Sequence, residues 1–157
     1  MIYSRSAEYA VRAFIHLGSL PQGEYALVKH IAADAGMPAP FLAHILQPLV
    51  RVGLLESSKG PGGGFRLRLP ASDLPLARVV EAVDGPGRYL ACPAGMPECN
   101  DRVACGMHDS FQPVRSRIIE YLEGTSVAEL AKALGEKRRK LARPRRRAAA
   151  SKKTAAK

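Results

Sequence analysis

Residues 53 to 69 read GLLESSKGPGGGFRLRL, and no other stretch limits the fold so much. Leu54 to Ser58 and Phe65 to Leu69 are short strand candidates, separated by KGPGGG, in which four of six residues are glycine. Such a pair makes a hairpin whose tip is nearly all backbone. Glycines there let the chain approach a partner closely, so the hairpin reads as a wing, with Lys59, Gly60 and Gly62 at its tip set against a minor groove or phosphates. A nucleotide-phosphate cradle is the rival reading of a glycine-rich loop. It fails because no Gly-Lys-Ser/Thr follows and the next element is a strand.

The residues ahead of the wing read as three helices. Ala7, Ala10, Val11, Phe14, Ile15 and Gly18 recur with helical period, predicting a first helix over 6–19 that ends before Pro21. A second helix is expected from Tyr25, with Val28, Ile31, Ala32 and Ala35 on one face. GMPAP then breaks it, Gly36 suiting a left-handed C-cap and Pro38 the start of a third helix whose stripe is Leu42, Ile45, Leu46 and Leu49. Helix, tight turn, helix is the arrangement that sends its second helix into a major groove. At about 100° per residue, Pro40, His44, Gln47 and Arg51, with Ala43 beside them, lie opposite the apolar stripe. Gln47 can bond adenine in a bidentate way, His44 and Arg51 can donate to bases or phosphates, and the Ala43 methyl can meet a thymine methyl. Pro48 predicts a kink or tightened turn inside this helix.

Charge separates a body from a tail. Residues 136–157 hold 11 Lys and Arg against the single acid Glu136 and so carry the whole formal charge of +10. They show no hydrophobic period and few large apolar side chains, which predicts a disordered basic tail. It is either a solvated appendage or a polyelectrolyte arm adding nonspecific affinity for nucleic acid. Within the neutral body, residues 1–70 sum to +3 and residues 71–135 to −3, so the first half is the part suited to DNA. No run has the length of a membrane span, and Arg5, Glu8, Arg12 and His16 interrupt any signal-like apolar segment. A cytoplasmic protein without membrane partners is expected. No nucleophile and base occur in a recognisable motif, so an enzyme is not.

Downstream of the wing, Ser72 is placed to cap a helix bearing Leu76, Val79, Val80 and Val83, ended by DGPG at 84–87. Ser110 is placed to cap a long helix with Pro113 in its first turn and a stripe of Phe111, Val114, Ile118, Tyr121 and Leu122, widened by Ile119. That is more apolar surface than one small domain needs. A last short helix opens on the capping box Ser126 to Glu129 and is expected to stop at Gly135.

Between these helices lies CPAGMPECNDRVACGMHDSF, residues 92–111, which holds all three cysteines. Cys92, Cys99, Cys105 and His108 form C-x6-C-x5-C-x2-H in a loop made pliable by glycine and proline. An odd number of thiols in a reducing compartment points to metal binding or redox sensing rather than paired disulfides. Three thiolates and one imidazole suit tetrahedral zinc, and equally an iron-sulfur cluster. The tight C-x2-C knuckle usual for zinc is missing, and the wide spacings favour iron and sulfur. A thiol switch without metal is the third reading.

The segments YSRSAEYAVRAFIHL, GMPAPFLAHILQPLVRVGLL, KGPGGGFRL and VVEAVDG, followed by the cysteine loop, resemble in position and order the bacterial winged helix-turn-helix regulators that include IscR and NsrR. The resemblance spans residues 1 to about 134. It implies a mainly α fold with a two-stranded wing and a long C-terminal dimerisation helix. The functional expectation is a homodimeric transcription factor, usually a repressor, on a palindromic double-stranded DNA operator, responding to iron-sulfur, redox or nitric oxide status. Residues 1–70 would be the DNA-binding region, 71–135 the linker helix, cysteine loop and dimerisation helix, and 136–157 the tail. Two-fold symmetry would set the recognition helices on half-sites about one DNA turn apart. Cys92, Cys99, Cys105 and His108 match the ligands of the IscR branch, implying a [2Fe-2S] cluster, with a first gap one residue longer. In the NsrR branch a first-helix carboxylate is the fourth ligand. Glu8 stands at the matching position, and a [4Fe-4S] cluster would follow.

Overall fold

The structure is a computed structural model that describes residues 2–98, 100, 102 and 105–142. Its first helix, α1 (Arg5–Gly18), starts where the Ser4 hydroxyl accepts from the Ala7 amide at 3.2 Å, relieving one of the orphan donors of a helix start. Of the expected face Ala7, Ala10, Val11 and Phe14 are buried, joined by Ala13 and Leu17, whereas Ile15 and Gly18 are half-buried. The helix α2 (Val28–Ala35) begins three residues after the expected Tyr25. The reason is a competing partner: Ala26 exchanges both backbone hydrogen bonds with Phe65, each at 2.9 Å, and so stays extended. Gly36 closes α2 at φ +72°, and α3 (Ala39–Arg51) follows from Pro38. Leu42, Ile45, Leu46 and Leu49 are all buried, and α3 continues through Pro48 to Arg51.

The strands are β1 (Leu55–Ser58) and β2 (Gly64–Leu67), antiparallel, with Leu55 opposite Leu67 and Ser58 opposite Gly64. Each is one residue shorter than the sequence suggests, and β2 starts a residue earlier, at Gly64. The wing is fastened to the body by the Ala26–Phe65 bridge on one side and by Leu55 and Phe65, both buried, beneath.

Two expected caps are not used. Ser72 sits in a short 3-10 turn, Ala71–Asp73, where its hydroxyl donates to Asp73, and α4 (Leu76–Asp84) starts instead from Pro75. There the Leu76 amide donates to the Thr125 carbonyl and the Val127 amide to the Leu74 carbonyl, both at 2.9 Å, so the backbone of a distant segment sets the helix start. The long helix α5 (His108–Gly124) begins at His108, ahead of Ser110, whose hydroxyl donates to the Met107 carbonyl at 3.1 Å. The last helix, α6 (Val127–Ala142), opens on the expected capping box: Glu129 accepts from the Ser126 amide at 2.8 Å, and the Ser126 hydroxyl accepts from the Glu129 amide at 3.2 Å. It does not stop at Gly135. The basic residues up to Ala142 are helical, and the rest of the expected tail, 143–157, lies outside the described residues.

One apolar core joins these pieces. Phe14, Ile31, Leu42, Leu46, Leu49, Leu55, Val79, Val80, Leu122 and Val127 meet there from every helix except α6's outer turns and from the wing. A Cβ on Gly18 would stand 2.8 Å from Val127 Cγ1, so only glycine lets α1 and α6 approach as they do. Asp84, at the end of α4, accepts from the Ser4 amide at 2.6 Å and from the Ser4 hydroxyl, pinning α4 to the start of α1.

Candidate nucleic-acid interface and cysteine loop

On α3 the buried stripe fixes what faces outward. Pro40, His44, Gln47 and Arg51 are exposed, and Ala43 is half-buried beside them. Phe41, which the helical spacing did not single out, is 49% exposed and meets the Tyr9 ring edge-on at 6.2 Å. Arg12 lies over Tyr9 at 5.7 Å and donates to the Ala35 carbonyl at 3.1 Å, bracing the turn between α2 and α3. The face has the composition of a groove-reading surface: donors, an amide, and small or flat apolar groups.

The wing's glycines divide by the job each does. Gly60 and Gly62 adopt positive φ in open space, giving the tip its turn, and lie exposed with Lys59. At Gly63 and Gly64 space is the constraint: a Cβ would come 2.4 Å from the Ser58 carbonyl oxygen and 2.0 Å from that of Ala26, respectively. Behind the tip, Arg66 donates twice to Glu56, at 2.8 and 2.5 Å, and once to the Gly23 carbonyl at 3.1 Å, while lying 4.7 Å over the Tyr25 ring. The Glu56 hydrogen bonds hold Arg66 still more firmly charged. Arg66 is thus committed to bracing the wing, whereas Lys59 projects beyond it.

The cysteine loop springs from a short turn, Arg88–Leu90, whose Tyr89 is buried and donates to Glu81 of α4 at 2.9 Å. Cys92 and Cys105 are both half-buried. Cys92 lines a cleft of about 470 Å³ with Ile2, Arg88, Phe111 and Ile118. His108, also half-buried, is the first residue of α5, and its amide donates to the Cys105 carbonyl at 3.2 Å. Cys99 lies outside the described residues. Glu8, half-buried on α1, lies close enough to Tyr3 that its charge, after burial and Tyr121, helps push that phenol's pKa up against the opposing Arg12. Among the described residues no three His, Cys, Asp or Glu side chains are gathered closely enough to hold a metal.

The apolar stripe of α5 is only partly used within the chain. Leu122 is buried in the core, whereas Val114 and Tyr121 are 48% and 54% exposed and Phe111, Ile118 and Ile119 are half-buried. Among the described residues no helix is long and apolar enough to cross a membrane.

Comparison with known proteins places this architecture. The family model of Rrf2, described as iron-dependent transcriptional regulators, matches residues 3–133. Protein aau3 of Rhizobium meliloti is 33% identical over 135 residues, covering 85% of this chain and 86% of its own. The HTH-type transcriptional regulator IscR of Vibrio atlanticus is 30% identical over 132 residues, covering 84% and 76%. Among solved structures, the global cysteine regulator CymR of B. subtilis superposes with a TM-score of 0.68 at 20% identity, over 83% of this chain and 95% of its own. The IscR of T. potens superposes with a TM-score of 0.66 at 20% identity, over 85% and 88%. These likenesses show the winged helix fold.

Proposed function

The chain belongs to the Rrf2 family of transcriptional regulators, and from that premise we propose that it is a cytoplasmic homodimeric repressor whose hold on a palindromic operator follows an iron-sulfur cluster. A DNA-binding regulator rather than an enzyme is what the family is. The cluster reading is carried by one observation: three thiols and an imidazole fall within residues 92–108, and the two described thiols, Cys92 and Cys105, are half-buried rather than spread on the surface. Cys92, Cys99, Cys105 and His108 would hold a [2Fe-2S] cluster; Glu8 in place of His108 would go with [4Fe-4S]. The donor set fits, since histidine can stand in for cysteine on iron. When bound, the cluster supplies a one-electron redox centre.

DNA recognition is assigned to α3 and the wing. Gln47, His44 and Arg51, with Pro40 and Ala43 allowing close approach, would face base edges and phosphates in the major groove. Lys59, Gly60 and Gly62 would meet the adjacent backbone or minor groove. Contiguity supports a link between loop and groove. Tyr89 ties the root of the loop to α4, and α4 is tied to α1 by Ser4 and Asp84 and packs on α3. The exposed part of the α5 stripe, with Val114 and Tyr121, supports its role as the dimer contact.

Anaerobic absorption spectroscopy and native mass spectrometry on one sample test both halves. The expected protein is coloured, with a dimer mass that includes two [2Fe-2S] clusters. A colourless dimer carrying zinc, or carrying no metal, would reassign the loop to a structural zinc site or a thiol switch.

A further inference from the structure

Asp34 is one of the last two residues of α2, five positions before α3 begins at Ala39. Arg138 of α6 donates to one of its carboxylate oxygens at 2.6 Å, and His16 of α1 meets the other at 3.0 Å. Partial burial works against ionisation of Asp34. The hydrogen bonds from His16 and Arg138 outweigh it, and its pKa lies below the ordinary carboxylate value. The tie therefore anchors the charged end of α6 beside the turn that leads into the groove-facing helix. Lys137, Arg139 and Lys140, all exposed, project from that anchor, and seven more basic residues follow in 143–157 without an acid.

We propose that this C-terminal basic segment is a second DNA-binding element, an arm rooted on the helix-turn-helix by Arg138 and Asp34 that grips phosphates flanking the operator. The inference rests on the DNA-binding function of the chain and adds a surface to it. Charge distribution selects the partner. The neutral body supplies recognition, whereas residues 136–157 hold the entire +10, and a dense polycation gains most from the phosphate backbone, whose condensed counterions it releases. Placement selects the site. The Arg138–Asp34 bond sets the charged end of α6 beside the turn that leads into α3. Asp34 would otherwise set a negative charge beside incoming phosphates, and Arg138 cancels it.

The test uses the full-length chain with Lys137, Arg139, Lys140 and every basic residue after Ala142 changed to glutamine, Arg138 being kept. Two 40-base-pair duplexes serve as probes, one random and one centred on the operator selected from a random library by the parent chain. On both, log K against log salt should become shallower by about 0.9 per phosphate released, so four contacts make a difference of ~10²-fold between 50 and 200 mM salt. Protection from hydroxyl radicals should shrink from the flanks while the operator centre stays protected. The charge-conserving pair Asp34→Asn with Arg138→Gln should keep the salt slope on random DNA but lose the fixed flanking protection. Superimposable salt titrations for parent and glutamine chain would overturn the arm. A loss of binding only to vesicles of anionic lipid would overturn it in favour of a membrane surface. If the parent chain selects no duplex at all, it is the DNA-binding reading that fails.

Discussion

A side chain on Gly64 would place its first carbon 2.0 Å from the carbonyl oxygen of Ala26, so the wing touches the segment before α2 at a distance only hydrogen permits. Gly64 also has φ +131°, which L side chains rarely adopt. Gly64→Ala must therefore break the Ala26–Phe65 pairing as well as strain the backbone. Two hydrogen bonds at about 1 kcal/mol each, plus about 1 kcal/mol of strain, make a loss of roughly 3 kcal/mol. Gly62→Ala, in open space at φ +76°, should lose only about 1 to 2 kcal/mol. Urea unfolding of the two variants checks the contrast, and equal losses would mean that the bridge contributes nothing.

What the sequence shows of this fold is what local chemistry decides. The α3 stripe, the α1 face, the left-handed Gly36 and the Ser126–Glu129 capping box are all where spacing and residue type put them. What it hides is set by distant backbone. Ala26 pairs with a residue 39 positions away, which delays α2, and the Leu74–Val127 and Leu76–Thr125 bonds start α4 past Ser72. The end of α6 was hidden for a different reason. EKRRKLA has no apolar face, yet lysine, arginine, leucine and alanine are good helix formers, and Arg138 finds its partner in Asp34 instead of a core. At the cysteine loop the donor types are legible, whereas their convergence is not, because a loop of glycine and proline has no period from which to read a shape.

For the loop, Cys99→Ala should abolish the visible chromophore while leaving a folded helical dimer by circular dichroism and sedimentation. Persistence of the colour would remove Cys99 from the ligand set. His108→Cys should keep the chromophore and lower the reduction potential, because an anionic thiolate replaces a neutral imidazole. An unchanged potential in a spectroelectrochemical titration would move the fourth ligand to Glu8 or elsewhere.

On the DNA side, Gln47 and Lys59 should fail differently. Gln47→Ala is expected to cost about 1 to 3 kcal/mol at the selected operator and to relax preference at one base position, as loss of a bidentate base contact would. Lys59→Ala should weaken selected and random duplexes alike and make the salt slope shallower by about 1. Fluorescence anisotropy on both duplexes separates the two, and matching losses from the two variants would reject the split between base reading on α3 and backbone contact at the wing.

Tyr89 is the buried anchor between α4 and the cysteine loop, and its ionisation reports on that anchor. Burial, then the Glu81 hydrogen bond and charge, then Glu123, push its phenol up to about 12 from the usual 10. A proton held more tightly by the folded state stabilises it fully below pH 10, and the stabilisation fades as pH rises from 10 through about 12. Tyr89 should therefore ionise late in an ultraviolet titration, well above the usual phenol value of 10. Tyr89→Phe should delete that late step. It should also lower stability to urea by about 1 kcal/mol, since half-buried Glu81 can regain water when the hydroxyl is gone. The gap between parent and variant should be constant from pH 7 to 9 and close above pH 10. A gap that widens there, or a late ionisation that survives in the phenylalanine chain, would show that Tyr89 does not hold the loop to α4 through Glu81.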